Sequence, residues 1–96
     1  MFVLRIEHMV PDFDAWKALF DSDPLDREAS GVIEFALSRD VDTPQRVAID
    51  LGFATTAAAS DMLQRLKDLW SGPAAAMVQG PVTRIFEMIE GAGSKD

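Results

Sequence analysis

The first junction of the chain reads FVLRIEHM at residues 2–9, followed by VPDFDAWKALF at residues 10–20. Alternation in the first stretch puts Phe2, Leu4, Ile6 and His8 on one face, which is typical of a half-buried β-strand. In the second stretch, Pro11 and the N-cap type residue Asp12 precede apolar residues at helical spacing. The chain is therefore predicted to open with a strand over 2–9 and a helix over 12–22, with His8 where the strand ends.

The middle of the chain contains two further alternating stretches on either side of a turn at 42–44. They predict a hairpin with strands over 31–40 and 46–54. Thr55 or Thr56 is expected to cap a second helix over 56–70, and Gly80-Pro81 is expected to open a last strand over 81–90. Short extra helical turns are expected at 25–30 and 74–78.

The order strand–helix–strand–strand–helix–strand predicts an α+β fold, the ferredoxin-like βαββαβ pattern. One apolar stripe on each helix favours a four-stranded antiparallel sheet with both helices on one face. The last strand is apolar on both sides, so its orientation is open and the second sheet face is expected to be covered in part. Residues 1–90 are predicted to form a single domain, and 91–96 a disordered tail.

Composition excludes several classes of protein. The formal net charge is −7, and the nine Lys and Arg residues are scattered, which argues against a nucleic-acid partner. The longest apolar runs are only a few residues, which predicts no membrane-spanning helix. The absence of cysteine and of a leader-like start predicts a cytoplasmic protein without disulfides.

The sequence offers no motif for a metal or cofactor. Asp21, Asp23 and Asp26 do not fit a calcium loop, because Leu25, Asp26 and Val32 stand where an oxygen ligand, Gly and Glu are required. No phosphate-binding loop or dinucleotide fingerprint occurs. We therefore predict neither a metal nor a cofactor, and interpret the acidic segment as a solvated turn.

His8 is the only histidine and the main candidate for chemistry. It could act as an acid–base group at neutral pH, or it could be a core-edge residue that donates to a backbone carbonyl. Trp16 and Phe20 on the first helix, with Leu66 or Trp70 on the second, can close an apolar pocket beside it. The alternative for these four residues is ordinary core packing.

Four charged residues are expected on the sheet face away from the helices: Arg5, Glu7, Glu34 and Asp50. They could line a polar cavity in which Arg5 binds a carboxylate. They could instead form cross-strand or inter-subunit ion pairs.

The run Arg5-Ile6-Glu7-His8, with the segment 10–16 and Phe20-Asp21, resembles the opening of small bacterial dimeric α/β-barrel proteins. That superfamily includes antibiotic-biosynthesis-monooxygenase-like and cyclase-like proteins. The resemblance implies a homodimer whose sheets pack face to face, and a first-strand histidine near a small-molecule pocket.

Two functions follow as hypotheses from this resemblance. One is a cofactor-free enzyme, monooxygenase- or cyclase-like, that acts on an aromatic or polyketide-like molecule with His8 as the acid–base group. The other is a non-catalytic module that binds a small ligand or serves as an accessory dimer. In both cases His8→Ala is expected to cost only about 1 kcal/mol of stability, as for a position outside the tightly packed core.

Overall fold

A computed structural model describes residues 1–91 of the chain. Its elements follow the predicted order: β1 Phe2–Met9, α1 Phe13–Ser22, β2 Glu34–Arg39, β3 Arg46–Phe53, α2 Thr56–Trp70 and β4 Gln79–Glu87. The strands form one antiparallel sheet in the order β2-β3-β1-β4. This confirms the predicted ferredoxin-like βαββαβ fold.

The helix starts are set by side-chain caps. Asp12 accepts a hydrogen bond from the Ala15 backbone N–H at 3.1 Å, and Thr55 accepts one from Ala58 at 3.1 Å. Each cap satisfies a backbone donor that the first helical turn leaves without a partner. Of the two candidate threonines, Thr55 is thus the cap of α2.

Both helices cover the sheet face that carries the inward residues of β1 and β3. The buried core contains these strand residues together with one side chain of α1 and two of α2: Leu4, Ile6, Val47, Ile49, Leu51, Phe53, Trp16, Ala59 and Met62. This arrangement is the predicted one, with both helices on one side.

Several observed boundaries differ from the predicted ones by one to three residues. β2 covers only 34–39 of the predicted 31–40, because 26–31 form turns and the strand begins after Gly31 reverses the chain at φ 95°. β4 runs from 79 to 87 and not from 81 to 90. The short turns expected at 25–30 and 74–78 occur as single hydrogen-bonded turns: the Ser30 N–H donates to the Asp26 carbonyl at 2.9 Å and the Met77 N–H to the Ala74 carbonyl at 3.0 Å. Of the predicted disordered tail, residues 92–96 lie outside the described part.

The start of β4 contains a β-bulge opposite His8. Glu7 pairs with Val82 and Met9 with Gln79, so His8 alone faces both Gly80 and Pro81. Gly80 has φ 60°, which glycine adopts without strain. Gly80-Pro81 therefore lies inside β4 and does not open it, and the ladder is interrupted beside the only histidine.

The uncovered side of the sheet, which we call the open face, is formed by residues that point away from the helices. Pairing with β1 places Thr83 and Ile85 on the helix side and Val82, Arg84 and Phe86 on the open face, which settles the orientation of β4. Arg5 on the open face donates to Asp50 at 2.9 Å and to Glu7 at 3.1 Å. Of the four charges, Arg5 and Asp50 thus form the proposed cross-strand pair, whereas Glu7 pairs with Arg5 within β1 and Glu34 forms no ion pair within residues 1–91.

Core packing gives the first prediction. Leu4 is fully buried at the centre of β1, so Leu4→Ala should lower the free energy of unfolding by about 2–5 kcal/mol. Val41→Ala, at a loop position that is 94% exposed, should change it by less than about 0.5 kcal/mol. Urea unfolding of both variants measures this, and equal effects would contradict the described core.

Candidate functional site

A cavity of about 80 Å³ lies between the sheet, the two helices and the turn that follows α1. The sheet supplies Ile6 and His8 from β1 and Ile49 and Leu51 from β3. The remaining lining comes from α1, the turn, α2 and the segment before β4: Trp16, Leu19, Phe20, Asp23, Pro24, Leu25, Arg27, Met62, Leu66, Leu69, Trp70, Ala74 and Val78. The lining is apolar apart from His8, Asp23 and Arg27.

The cavity exists because α1 stands away from the sheet. No Cα atom of α1 lies within 8 Å of a Cα atom in any of the other described helices or strands. The gap is bridged by ring side chains, since Trp16 is buried against His8 with ring centroids 5.5 Å apart. Phe20 continues this contact, with its ring centroid 5.4 Å from that of Trp16.

His8 borders the cavity and is only 3% exposed. Its ring makes edge-to-face contacts with Trp16 and, at 6.2 Å between centroids, with Trp70. Position 8 is therefore part of the buried core. The cost of about 1 kcal/mol expected from the sequence applies to a position outside the core, so at this buried position His8→Ala should cost about 2–3 kcal/mol of stability.

The protonation state of His8 follows from its surroundings. Burial lowers the pKa of His8 below its ordinary value near 6.5, and the hydrogen bond to the Met9 carbonyl opposes this shift only in part. Because a carbonyl only accepts, we assign the proton to Nδ1, which lies 3.3 Å from the Met9 oxygen. Nε2 then carries a lone pair, and it has no hydrogen-bond partner among residues 1–91.

The five residues proposed from the sequence all border this cavity: His8, Trp16, Phe20, Leu66 and Trp70. The structure brings them together, while their role in binding or catalysis stays a prediction. The core interpretation also holds in part, since Trp16 is buried and Phe20, Leu66 and Trp70 pack against the core. The hydrogen bond to Met9 is the backbone contact expected if His8 were structural.

Sequence reasoning missed Asp23, which it placed in a solvated turn, and Arg27, which lies in the segment 25–30 where it expected a short helical turn. Asp23 ends α1 in the left-handed conformation at φ 55°, and Asp26 adopts φ 49°. These two reversals turn the chain back, and the Arg27 N–H donates to the Asp23 carboxylate at 3.0 Å. Asp tolerates this conformation more readily than most residues, but nothing in the local pattern marks where it occurs.

Metal-binding chemistry has no cluster to support it in the described part of the chain. Within residues 1–91, no group of three or more His, Cys, Asp and Glu side chains could hold a metal ion. The same residues include no helix that is long and apolar enough to cross a membrane.

Comparison with known proteins shows the fold to which this site belongs. No protein-family model and no curated protein sequence matches the chain. Solved structures do match at low sequence identity. One is a single-substitution mutant of MhuD with two manganese protoporphyrin IX molecules bound per active site, with a TM-score of 0.71, 19% identity, and coverage of 96% of this chain and 99% of that one.

Two further structures extend the likeness. A "putative antibiotic biosynthesis monooxygenase" from Deinococcus radiodurans matches with a TM-score of 0.62 and 14% identity over 100% of both chains. A dimeric ferredoxin-like protein from an uncultured marine organism matches with a TM-score of 0.65 and 12% identity, over 95% of this chain and 96% of that one. The chain thus has the ferredoxin-like fold of antibiotic-biosynthesis-monooxygenase-like proteins, as the resemblance at its first junction implied. At these identities the likeness defines the fold and not the reaction.

The depressed pKa of His8 gives the second prediction. Below pH 6.5 the unfolded chain binds more protons at His8 than the folded chain does, so the free energy of unfolding should fall as the pH decreases. This contribution is fully present above the unfolded-state pKa. It should be absent in His8→Gln, so the stability advantage of the wild type over this variant should shrink on acidification.

Urea unfolding of both proteins from about pH 7.5 to pH 5.5 measures this difference, since the carboxylates contribute equally to both. NMR offers a direct check, because the chain has a single histidine to observe. A His8 resonance that titrates above pH 6.5 would contradict a buried neutral imidazole.

Proposed function

We propose that this protein is a small enzyme that binds a planar aromatic or polyketide-like molecule in the cavity, with His8 as its acid–base group. One observation carries the proposal: the sole histidine is buried in contact with two tryptophans on the border of an apolar cavity, with Nε2 uncommitted. An apolar pocket with one orienting polar group is the usual form of a small-ligand site.

The geometry favours proton transfer from the ligand to Nε2. With the Nδ1 proton held by the Met9 carbonyl, a neutral imidazole presents its lone pair to an acidic hydroxyl or carbon acid in the cavity. Phenols and β-dicarbonyl polyketides are such acids. Burial disfavours the imidazolium form, so a proton taken up at Nε2 is readily returned to the ligand later in the reaction.

The names of two structural neighbours are consistent with a planar ligand. The name of the Deinococcus protein refers to a monooxygenase, and the MhuD structure holds porphyrins in its active site. A tetrapyrrole is far larger than this cavity of about 80 Å³, so the lining does not fit such a group. We therefore propose a ligand of one or two rings, part of which extends through the open side of the cavity.

A non-catalytic binding module is the second candidate. It is favoured because Asp23 is paired with Arg27, so that His8 has no second acid–base group in the lining to work with. Binding without any chemical change of bound phenols and enols, in the presence of oxygen, would support this candidate over the enzyme.

The third prediction concerns His8 and ligand binding. Both tryptophans of the chain border the cavity, so a bound planar phenol should change their fluorescence. His8→Gln should weaken binding of hydroxylated naphthalenes by about 10-fold, the value of one lost hydrogen bond to an uncommitted group.

Val47→Ala provides the matched control for lost stability. Val47 is buried on β3 directly opposite His8 in the strand pairing, yet it does not line the cavity. This variant should bind as the wild type does. Equal loss of affinity in both variants would assign His8 a structural role, which is the remaining alternative from the sequence.

A homodimer through the open face is also part of the proposal. Val82 and Phe86 on this face are 66% and 45% exposed, an unusual exposure for large apolar residues on the same side of one strand. Arg5, Glu7 and Asp50 on this face are already ion-paired with one another. Arg84 and Glu34 on the same face form no ion pair within residues 1–91, so in a dimer they would have to find partners on the second copy. A neighbour of the same fold is described as dimeric.

Sedimentation equilibrium at micromolar concentration tests the dimer as the fourth prediction. The wild type should sediment at twice the 10.5 kDa mass of the chain. Phe86→Asp should yield a folded monomer, because dimerisation would bury an unpaired charge. Val41→Asp, in an exposed loop, should remain dimeric, and a wild-type monomer would exclude the interface.

A further inference from the structure

Arg27 is the one cationic side chain that lines the cavity within the described residues 1–91. Its guanidinium carbon lies 4.2 Å from the centre of the Phe20 ring and 4.8 Å from that of Phe35. The side chain is only 20% exposed. Two aromatic faces thus hold the cation in place, which reduces the entropy that it would lose on binding a ligand.

Aromatic rings connect this cation to the buried histidine. From His8 the contacts run to Trp16 at 5.5 Å, from Trp16 to Phe20 at 5.4 Å, and from Phe20 to Arg27. All four residues border the same cavity. A flat ligand that lies along these rings meets a lone pair at one end and a cation at the other.

The hydrogen-bonding capacity of Arg27 is only partly used. Nη1 donates to the Phe20 carbonyl at 3.0 Å and lies 3.4 Å from the Asp23 carboxylate. Among the residues that the structure describes, Nε and Nη2 donate to no protein acceptor. An arginine has five N–H donors, so several of them remain for a ligand anion.

We infer that Arg27 recognises a carboxylate on the ligand, so that the substrate class is a planar hydroxylated aromatic acid. The ring system of such an acid lies in the apolar part of the cavity, its hydroxyl faces His8, and its carboxylate meets the free edge of the guanidinium. This inference rests on the proposed function, because it assumes that the cavity binds a planar molecule. It adds the charge and the orientation of that molecule.

Asp23 limits the strength of this recognition. Its carboxylate shares the cavity border with Arg27 and repels an incoming anion, as does the net charge of −7 over the whole chain. Asp23→Asn keeps an acceptor for the Arg27 N–H while removing this repulsion. It should therefore increase the affinity for an aromatic acid.

The fifth prediction compares 6-hydroxy-2-naphthoate with its neutral isostere, 6-hydroxy-2-naphthamide. Tryptophan fluorescence should show that the wild type binds the carboxylate more tightly. Arg27→Gln should weaken carboxylate binding by about 10- to 100-fold, as expected for lost charge-assisted hydrogen bonds. It should leave binding of the amide within about 2-fold, since the aromatic part of the cavity is unchanged.

Arg39→Gln is the matched control. Arg39 also stacks on a ring, with its guanidinium carbon 4.4 Å from the centre of Phe13, but it does not line the cavity. This variant removes the same charge and the same kind of contact, so it should keep the preference for the carboxylate. Asp23→Asn should enlarge that preference.

The outcomes separate the inference from the proposed function. If the wild type binds both probes equally, or if Arg27→Gln keeps the wild-type preference, the role of Arg27 is wrong while the cavity remains a ligand site. Equal loss of both probes in Arg27→Gln would assign it to structural support of the turn and also overturn the inference. If the wild type binds neither probe, the inference and the proposed ligand class both fail.

Discussion

The site depends on the contact between Trp16 and His8. The indole and imidazole rings, with centroids 5.5 Å apart, set the distance between α1 and the sheet. No Cα atom of α1 lies within 8 Å of a Cα atom in another described helix or strand. A helix carrying small residues at this position would pack directly on the strands. The size of one aromatic side chain therefore decides that a cavity exists here at all.

The same contact controls the chemistry that His8 can perform. Contact with two tryptophan rings removes water from the imidazole, which lowers its pKa and keeps Nε2 unprotonated at neutral pH. The backbone at Met9 occupies the other ring nitrogen. Packing and tautomer are thus set together, and the bulge at Gly80-Pro81 interrupts the ladder beside the residue that they affect.

The two faces of the sheet have different physical characters. The helix side holds the core and the cavity, whereas the open face combines ion pairs near its centre with exposed apolar residues on β4. In a strand that looked apolar on both sides, pairing with β1 was needed to decide which residues face which way. Ile85 faces the helices, and Val82 and Phe86 lie on the open face, so β4 has apolar residues on both sides.

The sequence by itself determined the order of the elements, the central hairpin and the residues around His8. These follow from periodicities of two and 3.6 residues and from local caps, which act over a few positions of the chain. That is why the second helix was predicted over its observed range, and why Trp16, Phe20, Leu66 and Trp70 could be proposed around one pocket.

Only the tertiary structure decided the depth of His8, the bulge opposite it and the position of Arg27. Burial of a strand-end residue depends on the helices that pack over it, which alternation in a strand does not reveal. Arg27 reaches the cavity from a turn without periodicity, and its stacking on rings of α1 and β2 exists only after those segments have come together.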